Sequence, residues 1–285
     1  MDYQVYQDLE SILEILELTQ EELATAIGVS RVTANNWLSR KTAISDGNAK
    51  ILYEYAFRKG IRLNKIKEQF YNEDFVSDGE TLLFHGSKTG IEGEIDLRHN
   101  KRINDFGDGF YCGESLEQSA MFVASYPGSS LYMLKFNGKG LKKRVFHVDR
   151  DWMLMVAFFR GGLKEYEDSK MIKKLVTANN GIDYIVAPIA DNRMFEIIDS
   201  FIDGEITDVQ CQHCLAATNL GNQYVFTTQK ALDHITLLEK CYLSEPEKEF
   251  YLASRQESFK MNMDKVKLAR KQYRNQGEYI EDILK

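Results

Sequence analysis

Apolar residues recur at helical spacing along the first part of the chain. Leu9, Ile12, Leu13, Ile15 and Leu16 fall on one face of a helix over Asp8 to Leu18. Thr19-Gln20-Glu21-Glu22 then forms a capping box, with threonine at the N-cap and glutamate at the third helical position. A second helix is therefore predicted from Gln20 to near Gly28. Ser30 caps a third helix to about Leu38, which carries Val32, Ala34 and Trp37 among polar residues. Two short helices joined through a glycine turn predict a helix-turn-helix. From Lys59 to Asp78 the chain turns charged, which reads as a linker helix with a domain boundary near Asn72 to Gly79.

The pattern then changes to strands. Thr81 to Ser87 is an apolar strand ending in His85-Gly86-Ser87. Asp105, Gly107, Asp108, Gly109 and Gly113 forbid a regular helix between them, and glycines of this kind allow close backbone approach. Something is expected to lie against that backbone. Phe110-Tyr111 reads as a short aromatic strand, and Glu114 to Ala124 as a helix with Leu116, Ala120 and Val123 on one face. Strands are further predicted at Ser130 to Phe136, Val145 to Val148 and Asp183 to Ile189, and an apolar helix at Asp151 to Phe159. Past Gln229 the chain is expected to be helical, with Pro246 opening a long helix to about Arg274 that carries Phe250, Leu252, Phe259, Val266 and Leu268. The predicted architecture is α+β: a helical domain over 1–75, a mixed core over 80–235 and a helical extension over 236–285.

Composition narrows the class. A chain of 285 residues with 44% hydrophobic content suits a large and a small domain with full cores. No apolar run of about eighteen residues occurs, so no membrane span is predicted. The first residues lack a basic and apolar export signal, which predicts a cytoplasmic protein. Four cysteines do not make a disulfide framework, and Cys211-x-x-Cys214, enclosing His213, has no second pair to complete a zinc site. Buried thiols and no metal are expected. The formal charge of −7 gives no global attraction to nucleic acid. Between Arg31 and Lys67, however, nine Lys or Arg stand against two acids, Asp46 and Glu54, which makes a local basic patch.

The glycine and histidine segments resemble the His-Tyr-Glu branch of the ADP-ribosyltransferases, in which a strand ending HGS is followed by FGxGxY and a serine-alanine-x-aromatic helix. Here these are His85-Gly86-Ser87, Phe106 to Tyr111, and Ser119-Ala120-Met121-Phe122. A bacterial group of such domains reads NDFGxGFY, PIADxRMF and QYVF, matched by Asn104 to Tyr111, Pro188 to Phe195 and Gln223 to Phe226. The resemblance implies a split β-sheet transferase core that uses NAD as substrate. It implies that Gly86 and Ser119 hold the nicotinamide amide, that Tyr111 and Phe122 sandwich the ring, and that His85 bonds a ribose hydroxyl. Ser87, Asn104, Phe106 and Gly109 complete the implied nucleotide contacts. Arg102, just before the glycine loop, is with Asn104 a candidate NAD phosphate or acceptor contact, and Arg193 faces either a diphosphate or an ion pair with Asp191 or Glu196.

The third motif departs from the family. Gln223 stands where polymerase-type members carry a glutamate on the ribose hydroxyl. It keeps an acceptor oxygen without the charge, a difference of roughly tenfold in rate. This argues for mono-ADP-ribosylation of a macromolecule rather than chain elongation. Glu196 or Glu205 could supply a carboxylate from elsewhere, although neither matches the motif.

The string LTQEELATAIGVSRVTANNWLSRK resembles the phage-repressor-type helix-turn-helix. That resemblance implies phosphate contacts from Gln20 and Ser30 and base contacts from Arg31, Val32 and Asn36, with Thr33 and Asn35 as further candidates. Arginine forks to guanine and asparagine to adenine. Paired half-sites would imply a homodimer. Together the two resemblances imply a DNA-binding toxin or phage-defence effector, with an antitoxin or inhibitor protein as a further partner. The rival expectations are a regulator that senses NAD or ADP-ribose with an inactive transferase fold, and an NAD glycohydrolase.

Overall fold

The N-terminal helices begin where their capping side chains place them. Thr19 accepts from Glu22 N at 3.2 Å while the Glu22 carboxylate takes Thr19 N at 2.8 Å, which closes the capping box. Ser30 accepts from Thr33 N at 3.0 Å. Gly28, at φ 75°, makes the left-handed turn between these helices that a side chain would oppose.

The computed structural model describes residues 3–75, 79–91, 93–97, 104–218 and 221–284, the side chains of 192 and 193 excepted. In chain order the elements are α1 (Val5–Ile15), α2 (Gln20–Ile27), α3 (Arg31–Leu38), α4 (Asp46–Arg58), α5 (Leu63–Phe75), β1 (Thr81–Ser87), β2 (Phe110–Gly113), α6 (Leu116–Val123), β3 (Ser130–Phe136) and β4 (Lys143–Val145). They continue with α7 (Arg150–Phe159), α8 (Lys170–Thr177), β5 (Tyr184–Pro188), α9 (Asn192–Ile202), α10 (Asp208–Ala216), β6 (Asn222–Phe226), α11 (Gln229–Leu232), β7 (Ile235–Cys241), α12 (Glu245–Gln272) and α13 (Ile280–Leu284). The architecture is mixed α+β. Among the described residues no helix is long and apolar enough to cross a membrane.

The chain divides into two compact units. The first comprises Met1–Gly90, Leu116–Phe136 and Thr236–Ser254. Its helical part closes over Leu9, Ile12, Leu23, Trp37 and Leu52, all nearly inaccessible to solvent. Each such side chain contributes about 1.5–3 kcal/mol on burial. Its strands run in the order β1, β3, β7. β1 pairs antiparallel with β3 from Thr81↔Phe136 to Ser87↔Ser130. The apolar face of α6 (Leu116, Ala120, Val123) covers Leu82 and Phe84 of β1 and Leu131 and Met133 of β3.

The helical part is tied to β7 by polar groups as well. Lys67 of α5 bonds both Asp8 of α1 and Glu239 of β7, and Asn64 donates to the Tyr242 carbonyl at 2.9 Å. Tyr53 stacks on Tyr242 with ring centroids 4.3 Å apart.

The second unit comprises Ile91–Ser115, Asn137–Ile235 and Arg255–Lys285. Its strands run β4, β5, β6, β2; β4 is parallel to β5, and the remaining pairs are antiparallel. The core is built on α7, whose residues Trp152 to Ala157 are all buried, together with Ile198 and Phe201 of α9 and Ile280 and Leu284 of α13. A helix apolar on all sides belongs inside a core, which is what the Trp152 segment predicted.

Two expectations are corrected. The segment after Gln229 is not helical throughout: Ile235–Cys241 is a strand. Its apolar residues Ile235, Leu237 and Leu238 are too few to separate strand from helix by period, and Glu239 breaks the apolar pattern because it is buried against Lys67. The short strand expected at Val145 to Val148 lies earlier, at Lys143–Val145. Asp149 accepts from Trp152 N at 2.9 Å and so commits the residues just before it to entering α7.

Candidate active site and nucleic-acid interface

In the first unit, β1 delivers His85, Gly86 and Ser87 beside α6. A Cβ on Gly86 would stand 2.8 Å from Val123 Cγ1 and 2.9 Å from the Ser119 carbonyl oxygen, so glycine is what allows α6 to lie this close. Ser119, buried, directs its hydroxyl to the Phe84 carbonyl at 3.5 Å. Ser87 Oγ donates to the Gly90 carbonyl at 2.9 Å and closes the strand end into a turn. The His85 ring lies 6.4 Å from that of Tyr132. Phe122 is 56% exposed, unusual for an aromatic on a helix whose other face is core, and Lys88 Nζ lies 5.7 Å above its ring.

In the second unit, the loop before β2 is held by protein atoms. A Cβ on Gly107 (φ 76°) would meet Phe159 Cε1 at 2.9 Å, and one on Gly109 would meet the Phe226 carbonyl oxygen and Val225 Cγ1, each at 2.9 Å. What lies against this backbone is thus α7 and β6. Phe106 is buried in the core, its ring 5.1 Å from that of Phe146. The Tyr111 hydroxyl donates to the Gly107 carbonyl at 2.8 Å and accepts from Phe106 N at 3.2 Å. Burial pushes its pKa up, so it stays a neutral phenol.

Gln223 pairs across the β2–β6 ladder with Gly113, and Val225 with Tyr111, so Gln223 and Tyr111 face the same side of the two strands. The Gln223 amide nitrogen donates to Asp105 Oδ2 at 2.8 Å and to the Pro188 carbonyl at 3.0 Å. Asp105 is itself buried. It accepts from Ala190 N at 3.2 Å and from Arg160 Nε at 2.7 Å, and Arg160 in turn bonds the Ala190 carbonyl and lies 4.7 Å above the Phe195 ring. Segments from all three motifs meet on one carboxylate. Asn104, next to it, buries its side-chain nitrogen with no hydrogen-bond partner among the described residues.

The alternative carboxylates do not join this cluster among the described residues. Glu205 pairs with Arg270 at 3.2 Å. Arg102 and the side chain of Arg193 lie outside the described residues. Cys211 and Cys214 are buried in α10, directed to the carbonyls of Ile197 and Val266.

The face of α3 is open. Arg31 keeps 72% of its side chain exposed beside Glu21 at 3.5 Å, and Val32 is 68% exposed. Gln20 and Asn36 are half-buried. The hydroxyls of Ser30 and Thr33 bond each other at 2.8 Å and cap α3.

Residues 9–55 match the helix-turn-helix family. Residues 81–237, more than half of the chain, match a family described as a protein of unknown function (DUF3990). The chain belongs to the DUF3990 family. Comparison with curated proteins and with solved structures gives no match. In this DUF3990 member the helix-turn-helix match supports DNA binding through the N-terminal region, where the exposed residues of α3 lie.

Sequence reasoning misses Asp105 and Arg160. Asp105 reads there only as a helix breaker, although its place inside the NDFGxGFY segment is a signal. Arg160 lies in no motif, and only the fold brings it to Asp105.

Proposed function

We propose that this chain is an NAD-dependent mono-ADP-ribosyltransferase that a helix-turn-helix directs to DNA. One observation carries the reading. Tyr111 and Gln223, from motifs far apart in sequence, share one face of paired strands, and both hold the loop at Asp105 to Gly107. The order of the HGS, FGxGFY and serine-alanine-x-aromatic segments supports it, as does the buried Asn104 donor, which has no partner among the described residues.

In the reaction the bond between nicotinamide and its ribose breaks, nicotinamide leaves with the bonding pair, and a nucleophile on the acceptor attacks the sugar and releases a proton. The protein's task is to hold the leaving amide and stabilise an oxocarbenium-like sugar. By the motif resemblance, His85, Gly86, Ser119 and Phe122 are the dinucleotide contacts proposed for the first unit, and Tyr111 is the one proposed for the second. The acceptor is a macromolecule, protein or nucleic acid, which suits a toxin or phage-defence effector restrained by an inhibitor protein.

A second reading has its own support. Both N–H groups of Gln223 and the Tyr111 hydroxyl are already bonded within the protein, and Gln223 carries no charge. A DNA-binding regulator that binds NAD or ADP-ribose without turnover would have these properties. Incubation with NAD labelled in the adenylate half, with a cell extract as acceptor, separates the two. Transfer to macromolecules that is lost in His85→Ala and Tyr111→Phe supports the transferase. NAD binding by calorimetry with no nicotinamide release supports the regulator.

A further inference from the structure

Gln223 faces two acceptors, the Asp105 carboxylate and the Pro188 carbonyl, so its amide can lie in only one orientation. Both hydrogens of Nε2 point at these oxygens, at 2.8 and 3.0 Å. A flip would set Oε1 against a carboxylate and a carbonyl. Asp105 cannot move away to relieve that, because Arg160 Nε at 2.7 Å and Ala190 N at 3.2 Å hold it, and it is 5% exposed. The amide oxygen is therefore the group that Gln223 has left to offer, and among the described residues no donor reaches it.

The same geometry explains why an amide stands here. An ionised glutamate would set a second carboxylate within hydrogen-bond distance of Asp105, and like charges so close disfavour joint ionisation. With glutamine the negative charge sits one hydrogen bond back, on Asp105, and polarises the amide toward its oxygen.

We propose that Asp105 and Gln223 act as one unit, in which Asp105 is the positioning residue and Gln223 Oε1 is the fixed acceptor for a hydroxyl of the bound ribose. The proposal rests on the transferase reading above and names the group that takes the place of the missing glutamate. It differs from a purely structural role in one respect: the orientation of the Gln223 amide sets the rate.

The test is nicotinamide release by the full chain, followed as kcat and KM against pH. Gln223→Met keeps the volume and removes the acceptor; kcat is expected to fall about tenfold or more with KM little changed. Gln223→Glu places a carboxyl that must stay protonated to donate to Asp105. Its activity is expected to fall as pH rises, an arm that the untitratable amide of the wild type lacks. Combining it with Asp105→Asn removes the neighbouring charge and is expected to abolish that arm. Should Asp105→Asn fail to fold, the two single Gln223 variants decide the matter. An active wild type alongside Gln223→Met with unchanged kcat, or Gln223→Glu with the wild-type pH profile, would overturn the proposal alone. A wild type that releases no nicotinamide would overturn the transferase reading and the proposal with it.

Discussion

Lys67 Nζ stands 2.5 Å from the Asp8 carboxylate and bonds Glu239 as well, so one ammonium joins the first helix of the chain to strand β7. Tyr53 completes the cluster by donating to Asp8 at 2.6 Å. Burial by itself would lower the Lys67 pKa, but the two carboxylates outweigh it and raise it. Burial also raises Glu239, against the pull of Lys67.

Removing this cation leaves two carboxylates buried without it. Lys67→Met is expected to destabilise the fold by about 3–5 kcal/mol. Urea unfolding followed by circular dichroism checks this, and a midpoint equal to that of the wild type would refute it.

Gly86→Ala should be destabilising through sterics rather than backbone freedom, since its Cβ would press on Val123 and on the Ser119 carbonyl. A loss of about 1–3 kcal/mol is expected. Gly28→Ala is the contrast: nothing lies within 4 Å of its Cβ, and its penalty comes from the left-handed φ of 75°, about 1 kcal/mol. Val123→Ala should recover part of the loss when combined with Gly86→Ala and none when combined with Gly28→Ala, as read by thermal melting.

Glu247 gives the fold a pH dependence. Burial raises its pKa to about 7, against the Asn64 side chain at 3.2 Å and the nearby Arg62, which favour the charged form. Its pKa is therefore higher folded than unfolded, so between about pH 4.5 and 7 the folded state binds more protons. Its contribution is fully present below the unfolded pKa and is lost as pH rises toward 7. The loss is of order 3 kcal/mol, since each pH unit between the unfolded and folded values is worth about 1.36 kcal/mol. Glu247→Gln should flatten this part of the stability profile; an unchanged slope between about pH 5 and 7 would contradict the assignment.

On the DNA side, Arg31→Ala and Ser30→Ala should fail differently. Arg31 is exposed at the start of α3, and its loss is expected to weaken binding to a selected site by about 1–3 kcal/mol with stability unchanged. Ser30 caps α3, so its loss should lower stability by about 1 kcal/mol. Selection from a random duplex library, then titration at several salt concentrations, measures the first; a Ser30→Ala melt equal to wild type would exclude the second.

The helices of the N-terminal region are legible in the sequence because capping chemistry is local: Thr19 and Ser30 mark their own helix starts within three residues. Strands β1 and β3 are legible for a similar reason, since their apolar runs are bounded by glycine, serine or asparagine. Strand β7 is not, because the reason it is a strand lies with its neighbours, β3 beside it and Lys67 against Glu239. The site divides in the same way. Tyr111 and Gln223 can be named from motif order, whereas Asp105 gains its role from Arg160, Ala190 and Gln223, none of them close to it in sequence. The glycines read as sites of close backbone approach, and what approaches is Val123 at Gly86, Phe159 at Gly107 and the Phe226 carbonyl at Gly109.

The placement of His85 in the same compact unit as α3 has a consequence for how the molecule would choose its targets. Whatever sequence the recognition helix settles on, the histidine strand arrives there with it rather than at the end of a loose tether. On the proposed transferase reading, targets near a bound DNA site would then meet a high local concentration of that strand, and selectivity would follow from address as much as from chemistry.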